Sequence, residues 1–448
     1  MRFMPHTDAD LRAMLDTIGI DAIEDLIAHV PASLRDTARI ALAPGMSEQD
    51  VAGEITALAN QNRASILVSF LGGGYYHHYV PAVVRSVMSR AEFATSYTPY
   101  QAEASQGTTQ AIFEFQTLIT QLTGLEVANA SMYDGASAAA EAVLMARRIA
   151  PKRTKVALAR SLWPDYRETI RTYISAIKDL EVIEIPFADG TGQIDLEELK
   201  RIAKENLLCV VAGYPNGFGI VEPLGEIARI AHQAEALAIS ATAEGLALGL
   251  LKAPGDLQID IAVGEGQSFG LPLQFGGPGL GFMAARNAHL RQMPGRLVGQ
   301  TRDANGNRAF TLTLATREQH IRRERATSNI CTNHSLCALG AAVYLSLMGR
   351  RGLRQLAERN VELAHQAHDV LTASKIEPRF SGPFFNEFVV RIPEAARALK
   401  TAEDRGVLAG IALAPDYPEL RDGVLISVTE INDARHFDRL RDALAEAG

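Results

Sequence analysis

The stretch Val127-Ala-Asn-Ala-Ser-Met132, followed at once by Tyr133-Asp-Gly-Ala-Ser-Ala-Ala-Ala-Glu141, decides the fold class. A short apolar run passes through a turn of small residues into an alanine-rich segment, which is the pattern of a strand that leads directly into a helix. The pattern recurs, with strands predicted at 127–132, 156–159, 182–185, 208–213, 238–241, 259–263 and 281–284. Helices are predicted between them near 107–122, 135–149, 164–178, 195–205 and 222–235. This alternation predicts an α/β fold with a mostly parallel sheet covered by helices on both faces.

The segments on either side of this region follow other patterns. Residues 1–64 are predicted to form an N-terminal helical arm, with helices at 8–18, 21–27 and 47–61. The alternating region is expected to form a large α/β domain at 65–345. The remaining residues, 346–448, are expected to form a small C-terminal α+β domain. Its predicted helices lie near 351–373, near 394–404 and from 433, and its strands at 378–380, 387–392 and 423–428.

The composition is that of a globular protein, with 448 residues, 47% hydrophobic and 21% charged. A net charge of −8 at pH 7 argues against a nucleic-acid partner, which would require a basic face. Charges stand near the N-terminus where a signal peptide has an apolar run, and no stretch of about 18 apolar residues predicts a membrane span. We therefore expect a cytoplasmic protein. Of the 44 basic residues only eight are lysines, and no lysine lies between Lys252 and Lys375.

The three cysteines, Cys209, Cys331 and Cys337, are too few for a disulfide framework and fit a reducing compartment. Cys331 and Cys337 enclose His334, but their spacing differs from the CxxC or HxxxH patterns of metal sites. We therefore predict no metal centre.

The stretch Ser96-Tyr-Thr-Pro-Tyr-Gln-Ala-Glu-Ala-Ser-Gln-Gly107 combines aromatic rings with hydrogen-bonding groups. Pro99 fixes its own φ and restricts Thr98 to extended geometry, so a rigid non-helical segment is predicted. Such a segment either holds a ligand between ring faces and hydroxyls or is a surface loop packed by its own tyrosines. The spacing alone favours the surface loop.

The turn into the helix predicted at 135–149 has the small residues that let backbone amides approach a phosphate. Asp134 would repel a phosphate, whereas an aspartate that caps a helix is common, so the cap is the favoured interpretation. A second glycine-rich turn, at 264–281, has neither a GxGxxG nor a P-loop pattern and indicates nucleotide binding only weakly.

The segment at 316–333 joins a basic cluster to a run of hydroxyl and amide side chains. One interpretation is a charged helix followed by a capped helix. The other is a site in which the basic cluster and the Thr-Ser-Asn run hold an anion. The spacing is compatible with both.

Taken in collinear order, these stretches resemble the alpha subunits of the two-subunit glycine dehydrogenase (decarboxylating), the P-protein of the glycine cleavage system. Four pairs of motifs between about 70 and 350 carry the resemblance. They are Tyr97-Thr-Pro-Tyr-Gln101 with Ser105-Gln-Gly107, Ala128-Asn-Ala-Ser131 with Tyr133-Asp-Gly135, Gly264-Glu-Gly-Gln267 with Phe275-Gly-Gly-Pro278, and Thr316-Arg-Glu-Gln-His-Ile-Arg-Arg-Glu324 with Thr327-Ser-Asn-Ile-Cys-Thr-Asn333. The resemblance implies a large domain with the type I pyridoxal phosphate transferase fold. It also implies a complex that decarboxylates glycine and passes the aminomethyl group to the lipoyl group of the H-protein.

The same resemblance implies that this chain lacks its own cofactor. The fold holds pyridoxal phosphate as a Schiff base on a lysine, and an aspartate some 25 residues earlier pairs with the pyridine nitrogen. The resembling positions here are Gln267 and Thr242. An amide cannot form an imine, and a threonine hydroxyl cannot hold a pyridinium proton. The expectation is therefore that a beta subunit binds pyridoxal phosphate and that this chain completes an α2β2 assembly.

Sites of this fold lie at dimer interfaces, so the resemblance also implies residues that reach into the partner's site. The expected contributors are Tyr97, Thr98, Tyr100, Gln101, Thr327, Ser328 and Asn329, with Arg322 and Arg323 as candidates for anion or partner contact. The adjacent His77 and His78 are either proton shuttles or hydrogen-bonded loop histidines. Two alternatives stay open: an inert scaffold with a closed remnant pocket, and an independent pyridoxal phosphate enzyme that uses another lysine, such as Lys252.

Overall fold

A computed structural model of the chain describes residues 5–38 and 41–445, the side chain at position 65 excepted. The chain divides into two compact units, Met1–Ser65 and Ile66–Gly448. The helices and strands are numbered α1–α14 and β1–β14 in chain order.

The first unit contains three helices, α1 (Asp8–Ile18), α2 (Ala32–Thr37) and α3 (Glu48–Ala59), and a 3-10 turn at Ile23–Ile27. The Thr7 and Ser47 hydroxyls cap α1 and α3, each by accepting a hydrogen bond from the N–H three residues on, at 3.2 Å. The helices predicted at 8–18 and 47–61 are confirmed. The helix predicted at 21–27 is the shorter 3-10 turn.

The second unit is built on a seven-stranded sheet with the order β2-β8-β7-β6-β5-β3-β4. The strands are β2 (Val127–Ala128), β3 (Lys155–Ala159), β4 (Glu181–Ile185), β5 (Leu207–Gly213), β6 (Leu237–Thr242), β7 (Ile261–Glu265) and β8 (Gly281–Ala285). Strands β3 to β7 pair in parallel, and β8 is antiparallel to both β7 and β2. The mostly parallel sheet is therefore confirmed. All residues of β5 are buried, as expected for a strand with helices on both sides of the sheet.

Five helices of this region lie close to the predicted positions, namely α6 (Gln106–Thr123), α7 (Gly135–Ile149), α8 (Pro164–Ile174), α9 (Leu196–Ile202) and α10 (Leu224–Gln233). The two short helices before them, α4 (Ala82–Met88) and α5 (Ala91–Ala94), were not predicted. The alanine-rich face of α7 is buried in the core beneath the sheet, where small side chains allow close packing of helix on strand.

A β-hairpin of β9 (Leu297–Arg302) and β10 (Arg308–Thr313) follows the sheet and was absent from the sequence prediction. Its outer half, from Gln300 to Arg308, is polar and exposed, so no apolar alternation marks it. The Asn305-Gly306 pair at its turn is the signal that could have revealed it.

The segment at 316–333 forms no long charged helix. Three short turns are present instead, Ala315–Arg317, α11 (Gln319–Arg322) and Arg323–Arg325, and residues 326–334 have no regular structure. Two helical segments follow and meet at Gly349, whose φ of 59° and ψ of 175° are not helical, and we number them together as α12 (Ser335–Ala373). The helix predicted near 351–373 is the second segment and is confirmed, whereas the first segment, from Ser335 to the kink, was not predicted.

The C-terminal part contains a three-stranded sheet of β11 (Glu387–Arg391), β14 (Gly423–Ser427) and β13 (Ile411–Ala412), with α13 (Ala395–Asp404) and α14 (Ala434–Ala445). The strand predicted at 378–380 is only a bridge from Pro378 to Val390. Strand β1 (Val68–Ser69) pairs with β12 (Val407–Leu408), so the chain enters this unit beside its C-terminal part.

Candidate functional site

The amino end of α7 is closed by its own cap. The Asp134 carboxylate accepts a hydrogen bond from Ser137 N at 2.7 Å, and the Ser137 hydroxyl accepts one from Asp134 N at 3.3 Å. Just before this turn, Ser131 has a φ of 149°, which is strained backbone for a residue with a side chain. The cap interpretation of Asp134 is therefore confirmed.

A second carboxylate occupies the same helix end. Glu265, the last residue of β7, accepts hydrogen bonds from Gly135 N at 3.1 Å, Leu280 N at 2.6 Å and Gln267 N at 3.0 Å. Burial is the main cause that raises the pKa of Glu265 to about 7, although these three N–H groups oppose the shift. The first free amide of the helix thus already donates to a carboxyl group, at the kind of helix end where phosphates bind in other proteins.

Gln267 lies two residues beyond β7, and both ends of its amide are engaged. Its Oε1 accepts a hydrogen bond from Tyr76 N at 2.9 Å, and its Nε2 donates one to Leu271 O at 2.7 Å. Thr242 ends the neighbouring parallel strand β6, where it pairs in register with Gly264 and is 1% exposed. The two positions predicted to have lost the cofactor partners are therefore at the carboxyl ends of adjacent strands.

A cavity of about 370 Å³ lies at this end of α7, and we call it the α7 pocket. Its lining contains four tyrosines and three carboxylates, namely Tyr75, Tyr133, Tyr166, Tyr173, Asp134, Asp165 and Glu265. Among the described residues, no lysine, arginine or histidine contributes to the lining. Lys252 and Lys375 are exposed and lie elsewhere.

These residues do not fit pyridoxal phosphate. The pocket offers neither an amine for the imine nor a cation for the phosphate. The helix end that could bind the phosphate is taken by Glu265 and Asp134, and the strand end where the resemblance places the aspartate has Thr242 instead.

The predicted strip at 97–101 is largely on the surface. Tyr97 is 71% exposed, Tyr100 is 59% exposed, and Gln101 is also exposed. The Thr98 hydroxyl is buried and has no hydrogen-bond partner among the residues that the structure describes. The segment is therefore a surface loop, as the spacing favoured, but Tyr97 and Tyr100 do not pack it internally, because most of each side chain is in solvent.

The strip and the downstream run at 327–333 meet at Arg296, which sequence reasoning missed. The Tyr100 ring lies over the Arg296 guanidinium at 5.7 Å. The same guanidinium donates hydrogen bonds to Cys331 O at 2.7 Å and to the Asn333 side chain at 3.3 Å. Arg296 stands at the start of the hairpin that was not predicted, so no motif marked it.

The downstream run packs onto the turn that opens α7. Asn333 Nδ2 donates to the Ser131 hydroxyl at 2.7 Å, and Cys331 N donates to the Tyr133 hydroxyl at 3.3 Å. Because Tyr133 lines the α7 pocket, the run borders that pocket.

The remaining predicted residues of this segment differ in exposure. Thr327 and Ser328 are half-buried, and Thr327 N donates to Arg317 O at 2.9 Å. Asn329, Arg322 and Arg323 are exposed.

His78 belongs to a buried charged cluster. Its Nε2 lies 3.0 Å from Glu244 Oε2, and its Nδ1 lies 2.7 Å from Glu430 Oε2. Although burial opposes the charge, the two glutamates raise the pKa of His78 to about 10, so the ring is charged at neutral pH. Such a histidine joins the segment after β6 to the C-terminal part. His77 is exposed, and neither glutamate was identified from the sequence.

Two absences concern the described residues only. No group of three or more His, Cys, Asp or Glu side chains among them could hold a metal ion. Within residues 5–38 and 41–445, no helix has the length and apolar character that crossing a bilayer requires.

The family model of the glycine cleavage system P-protein matches residues 1–444. The chain belongs to this P-protein family. Full-length relatives agree, since a protein of Geobacillus kaustophilus named "Probable glycine dehydrogenase (decarboxylating) subunit 1" is 48% identical over 99% of both chains. A protein of Anaeromyxobacter dehalogenans with the same name is 48% identical over 96% of this chain and 97% of its own.

Solved structures place the P-protein family in its fold class. A crystal structure of glycine decarboxylase (P-protein) of the glycine cleavage system, in inhibitor-bound form, is 42% identical with a TM-score of 0.89 and full coverage of both chains. A NifS-like protein is 14% identical with a TM-score of 0.64 over 85% of this chain and 98% of its own, and so shares the fold alone. The fold predicted from the resemblance is thus confirmed.

Proposed function

We propose that this chain is the alpha subunit of a glycine decarboxylase in which a beta subunit binds pyridoxal phosphate. The proposal rests on Gln267, which stands at the position where the resemblance places the cofactor lysine. Both ends of its side-chain amide are hydrogen-bonded to backbone groups. Two carboxylates at the amino end of α7 support it, because they repel the phosphate group. When bound in the complex, pyridoxal phosphate supplies the electron sink for the decarboxylation of glycine.

In the proposed α2β2 complex, this chain shapes the partner's active site from outside. The rings of Tyr97 and Tyr100 are exposed and available to pack against the partner and to exclude water. Tyr100 is positioned through Arg296, which also fixes the downstream run by its contact with Cys331 O. The two predicted segments are therefore connected through one side chain.

Hydrogen-bond donors on this surface are proposed to orient the glycine carboxylate or the cofactor phosphate. The set is Gln101, Thr327, Ser328 and Asn329, with Thr98 added once contact with the partner uncovers its hydroxyl, which is buried in this chain. Arg322 and Arg323 are exposed cations whose proposed role is attraction of an anion or contact with the partner. The aminomethyl product is then proposed to pass to the lipoyl arm of the H-protein.

The test uses the complex reconstituted from this chain and the lysine-bearing subunit. Tyr97→Ala and Asn329→Ala are expected to lower glycine decarboxylation with lipoylated H-protein by about tenfold or more, with normal assembly on sedimentation. Tyr79→Ala and Asn305→Ala alter equally exposed side chains outside the proposed set and are expected to leave turnover unchanged. Normal turnover in the first pair would favour the scaffold alternative instead.

A separate experiment addresses an independent cofactor site. The purified chain is mixed with pyridoxal phosphate, treated with borohydride and digested for peptide mapping. We expect no stable label above that of an unrelated lysine-bearing protein. Stoichiometric labelling of Lys252 would overturn the assignment of the cofactor to the partner.

A further inference from the structure

The α7 pocket has the electrostatic character of a cation site. Three carboxylates line it, and no basic side chain among the described residues does. Glu265 is at its buried end, Asp134 is half-buried, and Asp165 is exposed at its mouth. Each carboxylate adds to the negative potential felt by the others, since like charges in a low-dielectric cavity are weakly screened.

An independent observation points to a missing ligand. Tyr166 is 3% exposed and lines the pocket, yet its hydroxyl has no hydrogen-bond partner within the part of the chain that the structure describes. A Cβ at Gly135 would stand 1.9 Å from this oxygen, so the hydroxyl lies directly against the amino end of α7. A buried hydroxyl without a partner is costly and uncommon, and a ligand that donates to it would remove the cost.

The kind of cation follows from the remaining lining. No group of three or more ligating side chains in the described residues could hold a metal ion. The lining instead contains three further tyrosines, Tyr75, Tyr133 and Tyr173. Tyrosine faces attract organic ammonium groups and also pack against their alkyl carbons. The volume of about 370 Å³ suits a small molecule.

We propose that the α7 pocket binds a small primary alkylammonium, with the ammonium group donating to the Tyr166 hydroxyl and Asp165 attracting it at the mouth. This inference goes beyond the proposed function, because it assigns a ligand to a pocket lined by residues of this chain, whereas the proposed function concerns the active site of the partner. The negative lining of the pocket favours a cation over an anion such as phosphate.

The probe is ethylammonium chloride, titrated calorimetrically into the full-length chain at pH 8. Saturable binding at one site is expected, whereas sodium acetate and potassium chloride at equal ionic strength are expected to give no saturable signal. Tyr166→Phe is expected to weaken binding about fivefold, since only the unpartnered oxygen is removed. Asp165→Asn is expected to weaken it about threefold to tenfold.

Asp256→Asn is the matched control, because it removes an equally exposed carboxylate outside the pocket and is expected to leave the affinity unchanged. Circular dichroism checks that each variant is folded. The absence of saturable ethylammonium binding, or binding that neither pocket variant weakens, would overturn the proposal. Loss of ethylammonium binding on addition of the partner subunit would overturn the assignment to a free amine, since the partner then occupies the pocket.

Discussion

Replacement of Gln267 with alanine tests whether the two backbone hydrogen bonds of this side chain stabilise the fold. The wild-type amide satisfies Tyr76 N at 2.9 Å and Leu271 O at 2.7 Å, and all of these groups are in the interior. Alanine leaves both backbone groups without a partner, at about 1–3 kcal/mol for each. The expected loss of unfolding free energy is therefore about 2–6 kcal/mol, which lowers the urea midpoint by roughly 1 M or more.

The chain contains a single tryptophan, Trp163, which is buried in the core beneath the large sheet. Its fluorescence therefore follows unfolding of the region that contains Gln267. Ser268→Ala is the matched control, because Ser268 is also buried and its hydroxyl has no partner among the described residues. The control is expected to unfold within about 0.5 kcal/mol of the wild type. Equal urea midpoints for Gln267→Ala and Ser268→Ala would refute a stabilising role of the Gln267 hydrogen bonds.

Three further predictions use the same fluorescence assay. His78→Gln is expected to cost about 3–5 kcal/mol at pH 7, because two buried carboxylates lose their cation. The folded pKa of His78 is raised from 6.5 to about 10, so its contribution is complete below pH 6.5 and the cost should shrink as pH approaches 10. Glu265 has a folded pKa raised from 4.5 to about 7, so its contribution is complete below pH 4.5 and is lost as pH rises through 7. The stability difference between wild type and Glu265→Gln should therefore narrow over that range by on the order of 3 kcal/mol, and a constant difference would contradict this. Gly135→Ala should lower the urea midpoint, because the new Cβ meets the Tyr166 hydroxyl, whereas Gly107→Ala, in the first turn of α6 with open space around it, should not.

The fold could be predicted because each central strand is recognisable from its own stretch of sequence. Strands such as β5 are buried on both faces and therefore appear as unbroken apolar runs between glycine and polar boundaries. The hairpin of β9 and β10 lacks that signal, since half of it is exposed and polar. The segment of α12 before the kink at Gly349 was not predicted as a helix, because it carries few charges and has no side-chain cap.

The candidate site was predictable only where a residue acts on its own neighbours in sequence. Asp134 caps the helix that it precedes, so its role followed from the local pattern. Glu265 accepts from Gly135, 130 residues away, and His78 contacts Glu430, 352 residues away, so no local spacing could associate them. Arg296 was missed for the same reason, because its partners come from the strip near Tyr100 and from the run after residue 327.

Several features of the α7 pocket and of the nearby end of β7 agree with the proposal that the partner subunit binds the cofactor. The Gln267 amide hydrogen-bonds to two backbone groups, so the segment after β7 is held in place without a cofactor. Glu265 satisfies the amides that a phosphate would need, and the absence of basic lining residues leaves the pocket negative. A lysine restored at position 267 would be drawn to these carboxylates as an ammonium, which is the protonation state that cannot form an imine. Under the proposed function, the charge of the whole pocket as well as the residue at position 267 therefore distinguishes this chain from a cofactor-binding subunit of the same fold.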